Sequence, residues 1–532
     1  MDAVVLTNGN VVTLDPSQPS ARAIAIGGNT IIGVGTAEEV LAIAGENAKV
    51  VDLEGRTVLP GFADSHVHLI EYGLMLESVV LDVREARSIN EIKEMFGQRA
   101  KKQPAGRWIT GHGWDTTILA EKRPPNRWDL DPVTPNNPVM ITDSGGHLCS
   151  VNTLALKLAD IGKDTESPSG GLIYKDPETG EPTGLLSETA VTKIEALITY
   201  SDEEVRLALS RALDKAVKHG ITSIHCIVQN SQHVRAFQKL LKSDDLPLRV
   251  YLMISASLLH HLLRLGLRTG FGDPKLRIGA IKVMFDGSIE GRTAALRHHY
   301  EGEPENLGIL WLGEDELYDV VSKAHKAGFQ LAIHAIGDRA IHEVLNSMER
   351  ILKEAPRDDH RHRIEHASLL DEKSIRRISD LGLIASVQPI FITPDMNWMV
   401  RPLGYERAAE LGERYRALID EGVRVAGGSD CPADSTMSPL WGIQSAVTRH
   451  GFAPAERITT REALSLYTIN SAFASFEEKS RGTIEVGKLA DLVVLSDDPL
   501  TASPDRLSDI KVEMTLVDGK AVYTRERAQK GL

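Results

Sequence analysis

The middle of this 532-residue chain alternates β-rich apolar runs with helical stretches, and that alternation limits the fold more than any other feature. The runs read "HGITSIHCIV", "LPLRVYLMISA", "LRIGAIKVMFDGS", "FQLAIHAIGD", "RHRIEHASL", "LIASVQPIF" and "VRVAGGSDCPA". With "TVLPGFADSHVHL" ahead of them there are eight. Between them lie stretches such as "DEEVRLALSRALDKAVKHG", "DELYDVVSKAHKAG" and "DEKSIRRISDLG", which open near Asp or Ser and close at Gly, as helix capping favours. Strand, helix, strand, repeated, argues for a parallel sheet. Eight such strands predict a (β/α)8 TIM barrel.

The two ends have another texture. "AVVLTNGNVVTLD", "AIAIGGNTIIGVG" and "AKVVDLEGRTVLPG" near the start are short β-rich runs broken by Asn-Gly, Gly-Gly and Glu-Gly, as are "GTIEVGKLADLVVLSDDP" and "VEMTLVDGKAVYT" near the end. Neither end can bury a core alone. The economical arrangement is one small β-sandwich from residues 1–57 and 480–532, with a barrel over 58–479 between them. Two unrelated β caps are the alternative. More than a hundred residues, about 71–204, separate the first two barrel strands. A connection that long is an inserted subdomain, and it leaves from the end of strand one, where it should cover the barrel mouth.

Composition narrows the function classes. The net charge of −14 argues against a general nucleic-acid binder or a binder of anionic membranes. Cys149, Cys226 and Cys431 fit neither a disulfide framework nor a cysteine zinc site. The opening "MDAVVLTNGNVVTLDP" shows no secretory signal, and no apolar run is long enough to span a bilayer. These features point to a soluble, cytoplasmic protein, and the charge says little about a small substrate.

Histidines carry the chemical signal, although a chain with 18 of them makes close pairs cheap. "GFADSHVHLI" holds His66 and His68, and "DDHRHRIEH" holds His360 and His362. Position separates the two pairs. Active-site groups of a barrel come from the C-terminal strand ends, and residues two apart on a strand share a face. His66 and His68 close strand one, His334 closes strand five, His366 strand six and Asp430 strand eight. Five metal-type ligands thus sit at equivalent ends of four strands. His360 and His362 precede the end of strand six and read as structural or surface residues.

Lys282 adds a sixth group. In "GAIKVMFDGS" it shares a strand face with Met284 and Asp286, the face toward the histidines. An ammonium there is costly unless paired or modified. Two readings stand side by side. A neutral amine could add CO2 to become a carbamate whose two oxygens bridge two metals, or the lysine could pair with Asp286 or Glu290.

At this point the chain resembles the amidohydrolase superfamily of metal-dependent hydrolases, in particular the branch with N-substituted formamide deformylases. The matching pieces run in order along nearly the whole chain: "LPGFADSHVHL", "GHGWD", "GGHLCSVNTLAL", "IKVMFDGSIEGRTAAL", "AIHAIGDRA", "HRIEHA", "SVQP", "GGSDCPAD" and "GTIEVGKLADLVVLSDDP". The resemblance implies a barrel with a sandwich from both termini and one or two divalent metals, zinc foremost. It implies His66, His68, Lys282, His334, His366 and Asp430 as ligands, with Lys282 carboxylated in two-metal members and Asp430 handling protons. A homodimer is in keeping with it. Two pieces depart from the pattern: Glu290 in "DGSIEGRTA" replaces a small residue, and "TDSGGHLCSVN" has two glycines where one is commoner. Both lie where substrate could be met, so substrate class is not carried over.

The chemistry these residues imply is hydrolysis of an amide-type C–N bond, such as an N-formyl or N-acyl amine. A metal-activated hydroxide attacks the carbonyl, and Asp430 moves the proton from water to the leaving nitrogen. Ester, lactone or phosphoester hydrolysis on the same centre is the alternative, and an inert metal-binding scaffold the non-enzymatic one. Trp114, Asp115 and His147 in the insert, Arg292 after strand four and Gln388 after strand seven are candidates for substrate binding. Cys431 lacks an indicated base, so it is not read as a nucleophile. His225 and Cys226 read as core.

Overall fold

The computed structural model describes residues 3–77, 80–434 and 436–525. Its central sheet has eight strands: β1 (Phe62–Val67), β2 (Ile221–Val228), β3 (Arg249–Ser255), β4 (Leu276–Met284), β5 (Gln330–Ala335), β6 (Arg363–His366), β7 (Ile384–Val387) and β8 (Arg424–Gly427). They neighbour one another in chain order, and every ladder is parallel. The ring closes just beyond β8. Asp430 N–H donates to the His66 carbonyl at 2.7 Å, and His68 N–H to that of Cys431 at 2.9 Å. Gly428 permits the approach, because a Cβ there would lie 2.6 Å from the His66 nitrogen. The chain therefore forms the expected TIM barrel.

The helix Asp202–Lys218 shows how sequence produces the outer layer. Ser201 and Glu204 form a capping box at its start. Val205, Ala208, Leu209, Ala212, Leu213 and Ala216 recur at three- and four-residue spacing and make its buried face. Gly220, at φ 78°, follows its end and leads into β2.

Both termini contribute to two further sheets. One has four strands, in the order Thr30–Gly35, Ala23–Gly27, Val4–Thr7 and Lys49–Asp52. The other has six, in the order Lys520–Thr524, Val512–Val517, Leu492–Leu495, Thr57–Pro60, Asn10–Val12 and Ser20–Ala21. In the second, Leu492–Leu495 runs antiparallel to Thr57–Pro60, so the two ends of the chain share a ladder. They also share a core, where Leu6, Ile24 and Val58 pack with Leu492, Val494 and Leu516.

The helix Leu69–Leu76 after β1 packs Ile70, Tyr72 and Leu74 with Val205, Ala208 and Leu209, so it joins the barrel's helical layer. A separate six-stranded sheet follows, in the order Gly171–Lys175, Pro182–Glu188, Leu148–Val151, Val139–Asp143, Ile109–Trp114 and Val80–Asp82. It has apolar clusters of its own on its two sides. This subdomain touches the barrel mouth. His112 Nε2 lies 3.2 Å from the Pro432 carbonyl after β8, and Trp311, after β4, donates from its indole N–H to Glu188 at 2.6 Å. Among the described residues no helix is long and apolar enough to cross a membrane.

Candidate metal centre and active site

The strand ends bring most of the expected ligands together. His66 Nε2 and His68 Nε2 lie 3.3 Å and 3.4 Å from the same Asp430 oxygen, Oδ1. His66, His366 and Asp430 offer ligand atoms within 4.8 Å of one another. The His334 ring stands edge-on to that of His366, with centroids 4.5 Å apart. His68 is the most open of the set, with a side chain 26% exposed, and it sits at the start of the helix Leu69–Leu76.

Each buried imidazole has its protonation pattern set by a partner behind it. His66 Nδ1 lies 2.5 Å from Glu365 Oε2, His366 Nδ1 2.7 Å from Gln388 Oε1, and His334 Nε2 3.2 Å from the Gly287 carbonyl. Gln388 is itself oriented, its amide N–H donating to the Ser386 carbonyl at 3.4 Å. A carboxylate, an amide oxygen and a carbonyl can only accept, so in each pair the imidazole donates. The other nitrogens, Nε2 of His66 and His366 and Nδ1 of His334, keep their lone pairs. This is the outer hydrogen bonding that orients metal-binding histidines. His66 Nε2 is buried and, among the described residues, has no hydrogen-bond partner, a costly state that a bound cation relieves. The donor set of imidazoles and carboxylate suits zinc or a similar divalent ion.

Lys282 is buried among these groups, 4% exposed. Burial, partly opposed by the Glu365 and Asp430 carboxylates, draws its amine down to about 8. Among the described residues it forms no salt bridge to Asp286 or Glu290. Asp286 instead accepts from the backbone N–H groups of Ala295, Ile336 and Gly337. Glu290 sits near Asp143 and Asp115, and burial together with those charges pushes it up to about 8. Burial also takes His366 down to about 3, which keeps it neutral and able to ligate.

Several functional neighbours were not singled out from sequence. Arg363 and Glu365, two apart on β6, form an ion pair with both side chains 0% exposed. Arg363 further donates to the carbonyl of Ser65 at 2.6 Å and to Ser386 Oγ at 2.7 Å, and lies 2.8 Å from His225 Nδ1. His225, expected to be plain core, is thus part of this polar layer under the site. Asp64 accepts from Ser429 Oγ at 2.6 Å and Ser429 N–H at 2.9 Å, which ties β1 to the segment after β8. The alternating charged residues of "HRIEHA" were the available signal for the Arg363–Glu365 pair.

The substrate-binding candidates divide. Trp114 is 4% exposed in the insert's core and donates its indole N–H to the Ile141 carbonyl, so its role is packing. The Asp115 carboxylate caps a turn at Thr117. Arg292 pairs with Glu303 at 3.1 Å and donates to the Glu301 carbonyl, an outward arrangement. Gln388 orients His366, as above. His147 alone stands at the mouth beside a ligand candidate, its ring centroid 5.3 Å from that of His334. Glu188 Oε2 lies 2.9 Å from His147 Nδ1. Burial would lower His147, but the Glu188 charge outweighs it and takes the imidazole up to about 9.

The second His-x-His is occupied by backbone. His360 accepts from His362 N–H and its Nε2 donates to the Leu381 carbonyl. His362 accepts from Leu331 N–H and lies 2.8 Å from His325, which donates to the Ala355 carbonyl. All six ring nitrogens are used, so no lone pair remains for an ion.

With this geometry in view, the comparisons decide the family. The amidohydrolase family model matches residues 49–523. The chain belongs to the amidohydrolase family. It is 32% identical to the putative amidohydrolase YtcJ of Bacillus subtilis, over 97% of this chain and 98% of that one. It is 31% identical to an N-substituted formamide deformylase of Arthrobacter pascens, over 99% of each. Among solved structures, an uncharacterized metal-dependent hydrolase from Pyrococcus furiosus superposes with a TM-score of 0.75 at 30% identity, covering 94% of this chain and all of that one. This amidohydrolase is a metal-dependent hydrolase, and a divalent metal belongs to its chemistry.

Proposed function

We propose that this amidohydrolase cleaves the C–N bond of an N-formyl or N-acyl amine at the end of the barrel where β1, β5, β6 and β8 finish. The observation that carries the reading is the set of three imidazoles whose outer nitrogens are fixed by Glu365, Gln388 and the Gly287 carbonyl. Their remaining nitrogens, with His68 and Asp430, fit one or two divalent ions, of which zinc suits the donors best. The bound ion supplies Lewis acidity at the carbonyl and a nucleophile at neutral pH.

The chain's own groups do the rest. Asp430, between His66 and His68, takes a proton from the attacking water and returns it to the leaving nitrogen. Lys282, buried and with its amine drawn down to about 8, gives up its ammonium proton and adds CO2 at Nζ, releasing a second proton to give a carbamate with two ligating oxygens. The insert sits across the mouth and selects the substrate. The deformylase relative, 31% identical over 99% of both chains, supports the choice of an amide of formyl type.

The test is a panel of formamides, N-acyl amino acids, lactones and aryl esters, run on enzyme loaded with zinc or manganese. Turnover confined to the amides supports the reading. Turnover confined to the lactones or esters overturns it.

A further inference from the structure

A second pair of ligand-type side chains lies apart from the six ligand candidates. Glu71 is in the first turn of the helix Leu69–Leu76 after β1, and His233 is in the first turn of the helix Ser231–Lys242 after β2. The two strands are neighbours in the barrel, so the starts of both helices meet at its C-terminal end. His233 is 6% exposed, and its Nδ1 has no hydrogen-bond partner among the described residues. Glu71 Oε2 is buried and equally unpartnered. His66 Nε2, at the barrel centre, is in the same condition.

The separation of the pair indicates what suits it. His233 Nδ1 lies 3.9 Å from Glu71 Oε1. That is too long for a hydrogen bond, and a charge-assisted contact would draw the atoms to about 2.8 Å. Zinc binds imidazole nitrogen at about 2.0–2.1 Å and carboxylate oxygen at about 2.0–2.2 Å, so one ion can touch both atoms across this distance. The surroundings favour positive charge. Among the described residues no Lys or Arg pairs with Glu71. Burial pushes the nearby Tyr200 hydroxyl up to about 12, with the charges of Glu71, Glu195 and Glu204 adding to it.

We propose that Glu71 and His233 hold a divalent metal ion of the zinc class, separate from the centre at the strand ends. Glu71 supplies its carboxylate, His233 its Nδ1, and water fills the remaining positions. The ion is structural. It joins the helix that starts beside the ligand candidate His68 to the helix after β2. It also reaches the end of the insert. Gln232, next to His233, donates to the Tyr200 carbonyl at 2.9 Å, and the Tyr200 hydroxyl lies 3.4 Å from Thr110 Oγ1 in the insert's sheet. The inference does not depend on which bond the enzyme cleaves.

The test uses the full chain with zinc as the probe. Crystals grown with zinc are measured on both sides of its absorption edge. An anomalous peak within about 2.3 Å of His233 Nδ1 and of a Glu71 oxygen is expected. Zinc per chain after gel filtration should fall by one ion in His233→Ala and in Glu71→Gln, while the peaks at His66 and His366 remain. Zinc should also raise the Tm of wild type more than that of either variant. His233→Gln, closer in volume to histidine, replaces the alanine variant if that one fails to fold. Wild-type peaks confined to the barrel centre overturn the site. Zinc content unchanged in both variants overturns it as well. Turnover on the amide and ester panel is read separately, so failure of the substrate reading leaves this result intact.

Discussion

Replacing Glu365 with glutamine probes the layer beneath the metal centre. The Glu365 carboxylate lies 2.7 Å and 3.0 Å from Arg363 and 2.5 Å from His66 Nδ1, with both partners buried. Glutamine retains one acceptor oxygen and turns the other position into a donor. That donor must face the Arg363 guanidinium in one orientation, and both Arg363 and the His66 Nδ1 in the other, so at least one contact is lost whichever way the amide turns. A charge-assisted bond contributes about 1.5–3 kcal/mol, and a buried ion left without its counter-charge costs about 3–5 kcal/mol. Arg363 keeps its bonds to Ser65, Ser386 and His225, which softens the loss. A destabilisation of about 3 kcal/mol is expected for the metal-free protein. The freed His66 can also take the wrong tautomer, and losing such an outer partner weakens metal binding about 10- to 100-fold. Urea unfolding of the metal-free variant reads the first effect, and competition against a chromogenic chelator reads the second. An unchanged unfolding midpoint together with metal affinity within threefold of wild type would refute the role assigned to Glu365.

Three other outcomes follow from the same geometry. Asp430→Asn should keep bound metal by elemental analysis and lose turnover about 10²- to 10⁴-fold, the usual contribution of a positioned acid–base group; near-normal turnover would remove the proton role. Lys282→Ala should lose activity and regain part of it with added acetate or propionate, which can stand in for a carbamate; no rescue, with metal retained, would count against carboxylation. His112 is 8% exposed, and burial takes it down to about 4, so its neutral form is favoured in the fold. Its stabilising effect is present in full above the unfolded value near 6.5 and is lost as pH falls from there to about 4, at about 1.4 kcal/mol per pH unit. Unfolding of wild type and His112→Asn across that window should show the shallower slope in the variant, and equal slopes would contradict the assignment.

Much of the fold was legible because its signals are local. Period-two runs, capped helices and glycine stops each occupy fewer than about twenty residues, and their order alone implies a parallel barrel. The grouping of the ligand candidates was legible for the same reason: once β1, β5, β6 and β8 are located, His66, His68, His334, His366 and Asp430 fall at or just beyond their C-terminal ends. Misreadings fell where a residue's partner is remote. Trp114 in "GHGWD" looked like a pocket wall and is core of the insert. Arg292 looked free to bind substrate and is held by Glu303, a residue of its own loop. Lys282 left two readings, and only the backbone bonds of Asp286 showed that carboxylate to be committed elsewhere.

The sequence by itself determined the strand order, the ends at which chemistry can occur and the kinds of group placed there, since these depend on spacing along the chain. Tertiary structure alone decided which nitrogen of each histidine is free. His66 meets Glu365 across 299 residues, and Asp64 meets Ser429 across 365. Those pairs exist only because the barrel closes through the gap left by Gly428 and removes both partners from water. Once buried, each polar atom must find a partner or bear the cost, and that demand, absent from the unfolded chain, orients the site.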